Sequence, residues 1–130
     1  MPPGGDAAPD LDEFREMVEK ALDGFPDTFL KLVENLAVVV EDIASPQDAA
    51  RAGVSDPLQL LGLYTGLPFT QWGRERAAAL PDVIKIYRRP ILLSCAGREE
   101  VPEKVRKVVL HELGHRAGLD EERLRELGVY

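Results

Sequence analysis

Apolar residues first recur at three- and four-residue intervals. Leu11, Phe14, Val18 and Leu22 place one apolar stripe on a helix from about Asp10 to Asp23, with Asp10 as N-cap, Glu13 three residues on and Gly24 at the stop. A shorter helical pattern opens at Pro26 and Asp27 and runs through Phe29, Leu30, Val33 and Leu36. The period then changes. Leu36 to Val40 is a β-branched run predicted to be a strand buried on both faces, ended by Glu41 and Asp42 as a solvated strand end. Ser45 and Pro46 read as a cap and first-turn proline for a short helix through Ala49, Ala50 and Ala52 to Gly53.

Asp56 and Pro57 mark a turn, and Leu58 to Leu67 reads as a second strand, with Gly62 and Gly66 allowing a bend or a close backbone approach. Trp72 falls in the following loop. Asp82 to Tyr87 alternates most clearly, with Ile84 and Ile86 on one face and Val83, Lys85 and Tyr87 on the other. Pro90 interrupts that strand. Ile91 to Cys95 is readable as helix or strand, and the proline favours helix. Pro102 then starts a long helix whose apolar surface is Val105, Val108, Val109 and Leu113 and whose end is Gly118. A last short helix runs through Glu122, Arg123, Leu124 and Leu127 to Gly128.

The wide apolar surface of the long helix is expected to pack against the sheet. Three prolines and two glycines in residues 1–9 predict a flexible N-terminal tail, leaving 10–130 as a single domain. Composition adds exclusions. The net charge of −7 argues against nucleic acid as a partner, because phosphate binding needs an excess of Lys and Arg. Arg74, Arg76, Lys85, Arg88 and Arg89 are expected to form a solvated face, the alternative being a site for an acidic substrate. No apolar run approaches the ~20 residues of a membrane span, and the N-terminus lacks the pattern of a signal peptide. With Cys95 as the single cysteine, a reducing, cytoplasmic location is the expectation. Cys95 itself is expected to be a small buried apolar group, a metal ligand being the alternative.

The candidate chemistry is concentrated on the long helix. Both histidines of the chain, His111 and His115, lie there with Glu112 between them. At about 100° per residue, the two imidazoles sit one turn apart and about 40° apart around the axis, within reach of one metal ion. Glu112 lies on the flank of that face. This H-E-x-x-H spacing suits two neutral imidazoles on one Zn²⁺, with the Glu taking a proton from the activated water. A half-buried polar helix edge is the alternative reading of the same pair.

The run His111-Glu112-x-x-His115-x-x-Gly118-x-x-Glu121 resembles the extended zincin motif of metzincin type. With the Tyr87 and Pro90 strand ahead of it and Glu122-Arg123-Leu124-x-x-Leu127-Gly128 behind, the chain is more closely similar to the minimal zincin-like metallopeptidases of bacteria. That resemblance implies a compact α+β fold with a C-terminal active-site helix, one catalytic Zn²⁺, and hydrolysis of a peptide or protein substrate. By it, His111, His115 and Glu121 are metal ligands and Glu112 the general base.

Asp120 competes with Glu121, but its place before the last helix suits an N-cap, which would engage its carboxylate. No methionine follows Glu121 to supply a metzincin Met turn, so the substrate wall is expected to come from upstream loops or scarcely to exist. Tyr87 and Tyr130 are candidate oxyanion donors, with packing as the default. The exposed edge of a strand, at Leu60 to Tyr64 or Val83 to Tyr87, is expected to hold extended peptide. A zinc-containing peptide- or protein-binding module with little turnover is the alternative function.

Overall fold

The computed structural model describes residues 8–25, 36–66 and 82–118, together with Glu122 and Glu126. Helix α1 spans Leu11–Asp23. Its start is a reciprocal capping box, in which the Asp10 carboxylate accepts from the Glu13 N–H at 2.8 Å and the Glu13 carboxylate accepts from the Asp10 N–H at 3.3 Å. Phe14 and Val18 of the predicted stripe are buried, whereas Leu11, at the first turn, is exposed.

The sheet has three strands: β1 (Leu36–Glu41), β2 (Gly62–Thr65) and β3 (Asp82–Tyr87). Their order is β1-β3-β2, with β3 parallel to β1 and antiparallel to β2. The strand with the clearest alternation is therefore the central one. Asp82, Ile84 and Ile86 are fully buried on one face, and Lys85 projects from the other.

Strand β1 is an edge among the described residues, which corrects the expectation of burial on both faces. Its burial alternates, with Val40 buried and Ala37 and Val39 exposed. The β-branched run satisfies the backbone preference of a strand, but only one face of it meets a layer of helix.

Turn chemistry shortens β2. The Asp56 carboxylate accepts from the Leu58 N–H at 3.0 Å and Pro57–Gln59 forms a 3₁₀ turn, so the strand begins at Gly62 rather than Leu58. Helix α2 (Pro46–Arg51) has Ser45 as N-cap, its hydroxyl accepting from the Asp48 N–H at 3.1 Å, and Pro46 in its first turn. Helix α3 (Arg88–Leu93) follows β3 without a break, two residues earlier than Pro90 suggests. Pro90 is tolerated because the N–H groups of a first turn have no partner within the helix.

Helix α4, Val101–Arg116, contains Pro102 in its first turn. It ends where Gly118 takes φ +90°, a conformation that carries a steric cost for any side chain. Val101, Val105, Val109 and Leu113 of α4 join Phe14, Val18, Ile84, Ile86 and Ile91 in the main core. Thus α4 packs on the sheet and on α1. No helix among the described residues is long and apolar enough to cross a membrane.

The acidic strand end is not simply solvated. The Asp42 carboxylate accepts from Arg88 Nη1 and Arg89 Nη2, each at 2.8 Å, and Arg88 Nε donates to the Pro9 carbonyl at 2.7 Å. These bonds turn the chain out of β3 and hold Pro9 against the fold. Arg88 and Arg89 are thereby committed to internal partners, as Lys85 is to Glu41 and Asp48. The Pro26 to Leu36 helical pattern, Trp72, Arg74 and Arg76 lie outside the described residues, apart from Leu36 in β1. Of the last predicted helix, the described positions Glu122 and Glu126 are helical.

Candidate metal centre

Helix α4 carries His111, Glu112 and His115 to the boundary of the core. Glu112 is buried while the two histidines are half-exposed. The Nε2 atoms of His111 and His115 stand 3.1 Å apart, with ring centroids at 4.7 Å and planes at 78°. For bonds of about 2.0–2.1 Å, two corners of a tetrahedral zinc site are about 3.3 Å apart. The imidazole pair fits that edge. One ligand atom from each of His111, Glu112 and His115 lies within 4.8 Å of the others, so the group can hold a metal ion.

His111 and Glu112 line a cleft of about 520 Å³ between α4 and the segment that leads into β2. Ala52, Val54, Leu60 and Leu61 give it an apolar wall, and Gly62 and Glu112 lie at its base with His111. Gly62 is what lets the helix sit this close. A Cβ built there would stand 2.9 Å from Val108 Cγ1, 3.2 Å from Glu112 Cγ and 3.3 Å from the Lys85 carbonyl oxygen. The expected close backbone approach at this glycine is therefore between β2 and the motif helix. Gly62→Ala should cost about 1–3 kcal/mol by overpacking and move Glu112 off its position. A urea midpoint unchanged from the parent protein would refute that account.

Behind Glu112 lies a second polar group. The buried Asp48 carboxylate accepts from Lys85 Nζ at 2.8 Å and from the Tyr87 hydroxyl at 3.2 Å, with Arg51 Nη1 at 3.7 Å. The bond from Lys85 holds the Asp48 carboxyl below its ordinary range. Reciprocally, the bond to Asp48 raises the Lys85 ammonium. Burial, then the charge and hydrogen bond of Asp48, push the Tyr87 hydroxyl far above its ordinary value.

Tyr87 is fully buried, which corrects its candidacy as an oxyanion donor. Its hydroxyl is spent on Asp48, and it packs with Ala44 and Leu60. Asp120, Glu121 and Tyr130 lie outside the described residues. Cys95 is half-buried at the edge of the main core and is not in the metal group.

Three contributors escaped the sequence reading. Lys104 and Lys107 line the same cleft. Arg116, next to His115, is fully buried with Nε 3.1 Å from Asp82 Oδ2. A basic residue in the last turn of a helix ordinarily reads as a surface charge facing the helix dipole, and nothing local marks it as buried.

Residues 33–129 match the model of a protein family described as zincin-like metallopeptidases. The chain belongs to the zincin-like metallopeptidase family. No curated protein matches it. The match begins ahead of β1 and takes in the whole sheet, the cleft and the motif helix, whereas α1 lies outside it. The α+β architecture with its small mixed sheet agrees with this zincin-like assignment. Membership makes zinc the cofactor to consider and peptides the substrate to consider, and the His111, Glu112 and His115 group supplies the place on this zincin-like chain where a metal ion can be held.

Proposed function

We propose that this protein is a zinc-dependent metallopeptidase, with His111, His115 and Glu121 as the ligands of one catalytic ion and Glu112 as the general base. The observation that carries the reading is the pair of Nε2 atoms 3.1 Å apart beside a buried carboxylate, with His111 and Glu112 lining a cleft. Bound zinc supplies Lewis acidity, lowering the pKa of its water towards ~7 and polarising the scissile carbonyl.

Glu112 takes the proton of the attacking water and returns it to the leaving amine. Its position favours this role. The Glu112 stem, like Val108 one turn before it, packs on the bare backbone of Gly62, so the carboxylate is positioned before substrate arrives. Leu60 to Gly62 form the cleft wall opposite α4, and β2 is paired only on its β3 side among the described residues. An extended peptide can add to this edge by main-chain hydrogen bonds. The expected alternative edge, Val83 to Tyr87, is closed on both sides by β1 and β2.

Zinc-loaded protein should cleave members of a broad peptide library, lose that activity with a chelator and regain it on zinc addition. Protein shown to be fully loaded that binds peptide but cleaves none would instead be a zinc-containing binding module. His111→Ala and His115→Ala should each lower the zinc content, and unchanged content would remove the site.

A further inference from the structure

We propose that the cleft selects peptides carrying an acidic side chain two or three residues from the bond at the metal. This rests on the peptidase reading for the word bond, but the recognition itself does not. Three observations on α4 and its surroundings carry it.

The first is alignment. Counting about 100° per residue, Lys104 lies within about 20° of both His111 and His115 around the helix axis, and Lys107 about 40° from His111. At about 1.5 Å per residue, Lys107 is about 6 Å and Lys104 about 10.5 Å along the axis from His111. An extended peptide advances about 3.3 Å per residue, so those distances correspond to about two and about three residues.

The second is availability. Every described arginine is ion-paired with an acidic side chain of this chain, and Lys85 is paired with Asp48 and Glu41. Lys104 and Lys107 have no such partner among the described residues, yet both line the cleft. In a chain of net charge −7, cations not used internally are scarce. Here two stand side by side over one groove.

The third is the opposite wall. Ala52, Val54, Leu60 and Leu61 bring no carboxylate to face the lysines. An acidic substrate side chain would supply the missing counter-charge, while a basic one would meet repulsion, so the lysines discriminate in both directions.

The test uses zinc-loaded Glu112→Gln protein and two fluorescein-labelled decapeptide mixtures, alike except that one carries three Glu where the other carries three Gln. The acidic mixture should bind about tenfold more tightly, as expected for two exposed charge pairs, and the ratio should shrink in 0.5 M salt. Adding Lys104→Gln and Lys107→Gln should bring it to about one. Lys104→Glu with Lys107→Glu should instead favour a mixture carrying Lys.

Equal affinity for the Glu and Gln mixtures before the lysines are altered, or a preference that survives their removal, overturns the proposal. If the acidic preference is found but zinc-loaded wild type cleaves neither mixture, acidic recognition stands and the peptidase reading falls. Cleavage of both mixtures with equal kcat/KM has the reverse meaning.

Discussion

Arg116→Met should destabilise the fold by about 3–5 kcal/mol, because it leaves the buried Asp82 carboxylate without its guanidinium. Both side chains are fully buried, with Arg116 Nε 3.1 Å from Asp82 Oδ2, and the Tyr64 hydroxyl donates to the same oxygen at 3.2 Å. The pair links the C-terminal turn of the motif helix to the first residue of the central strand. Desolvation makes the intact pair a small net contributor, but the cost of halving it is large. Asp82→Asn in the Arg116→Met background removes the stranded charge while keeping an acceptor for Tyr64, and should recover part of the loss. Urea unfolding of the parent and the two variants measures both numbers. A single variant within about 1 kcal/mol of the parent, or a double variant no more stable than the single, would show that the pair does not hold the helix end.

Glu112→Gln should lower kcat by about 10²–10⁴-fold, the usual contribution of a general base, while zinc content stays at the parent level. The substitution keeps the shape of a side chain that is only 6% exposed and packed on Gly62. What it removes is the capacity to take and return a proton. Zinc stoichiometry and turnover measured on the same preparation separate the two roles. Parallel loss of metal and activity would make Glu112 a ligand rather than a base. Unchanged turnover would exclude it from the proton transfers.

Both experiments concern residues that differ in how far sequence reveals them. His111, Glu112 and His115 were legible because a single helix brings them together, and helical spacing is a local property. The capping box at Asp10, the turn at Asp56 and the stop at Gly118 were legible for the same reason. Gly62 was legible in kind, as a place of close approach, but its partners on α4 are 46 and 50 positions away.

The bonds of Asp48 to Lys85 and Tyr87, of Asp42 to Arg88 and Arg89, and of Asp82 to Arg116 were not legible. Each joins residues 34 or more positions apart. Polar residues at such separation look like solvated surface until the topology pairs them. The burial of β1 was overestimated for a related reason, since a run of valines cannot say whether its strand is central or at an edge.

The sheet order has one more consequence, for the behaviour of the protein in concentrated solution. A strand edge open to substrate is equally open to another copy of the chain, since either can satisfy the same row of main-chain donors and acceptors. Strand β2 is only four residues long, Gly62–Thr65, and it is preceded by a turn built on Pro57. Short length limits how many inter-strand bonds a second copy can gain, and so guards against edge-to-edge aggregation. It limits a substrate to the same few bonds, so the hold on peptide must come mostly from side chains in the cleft.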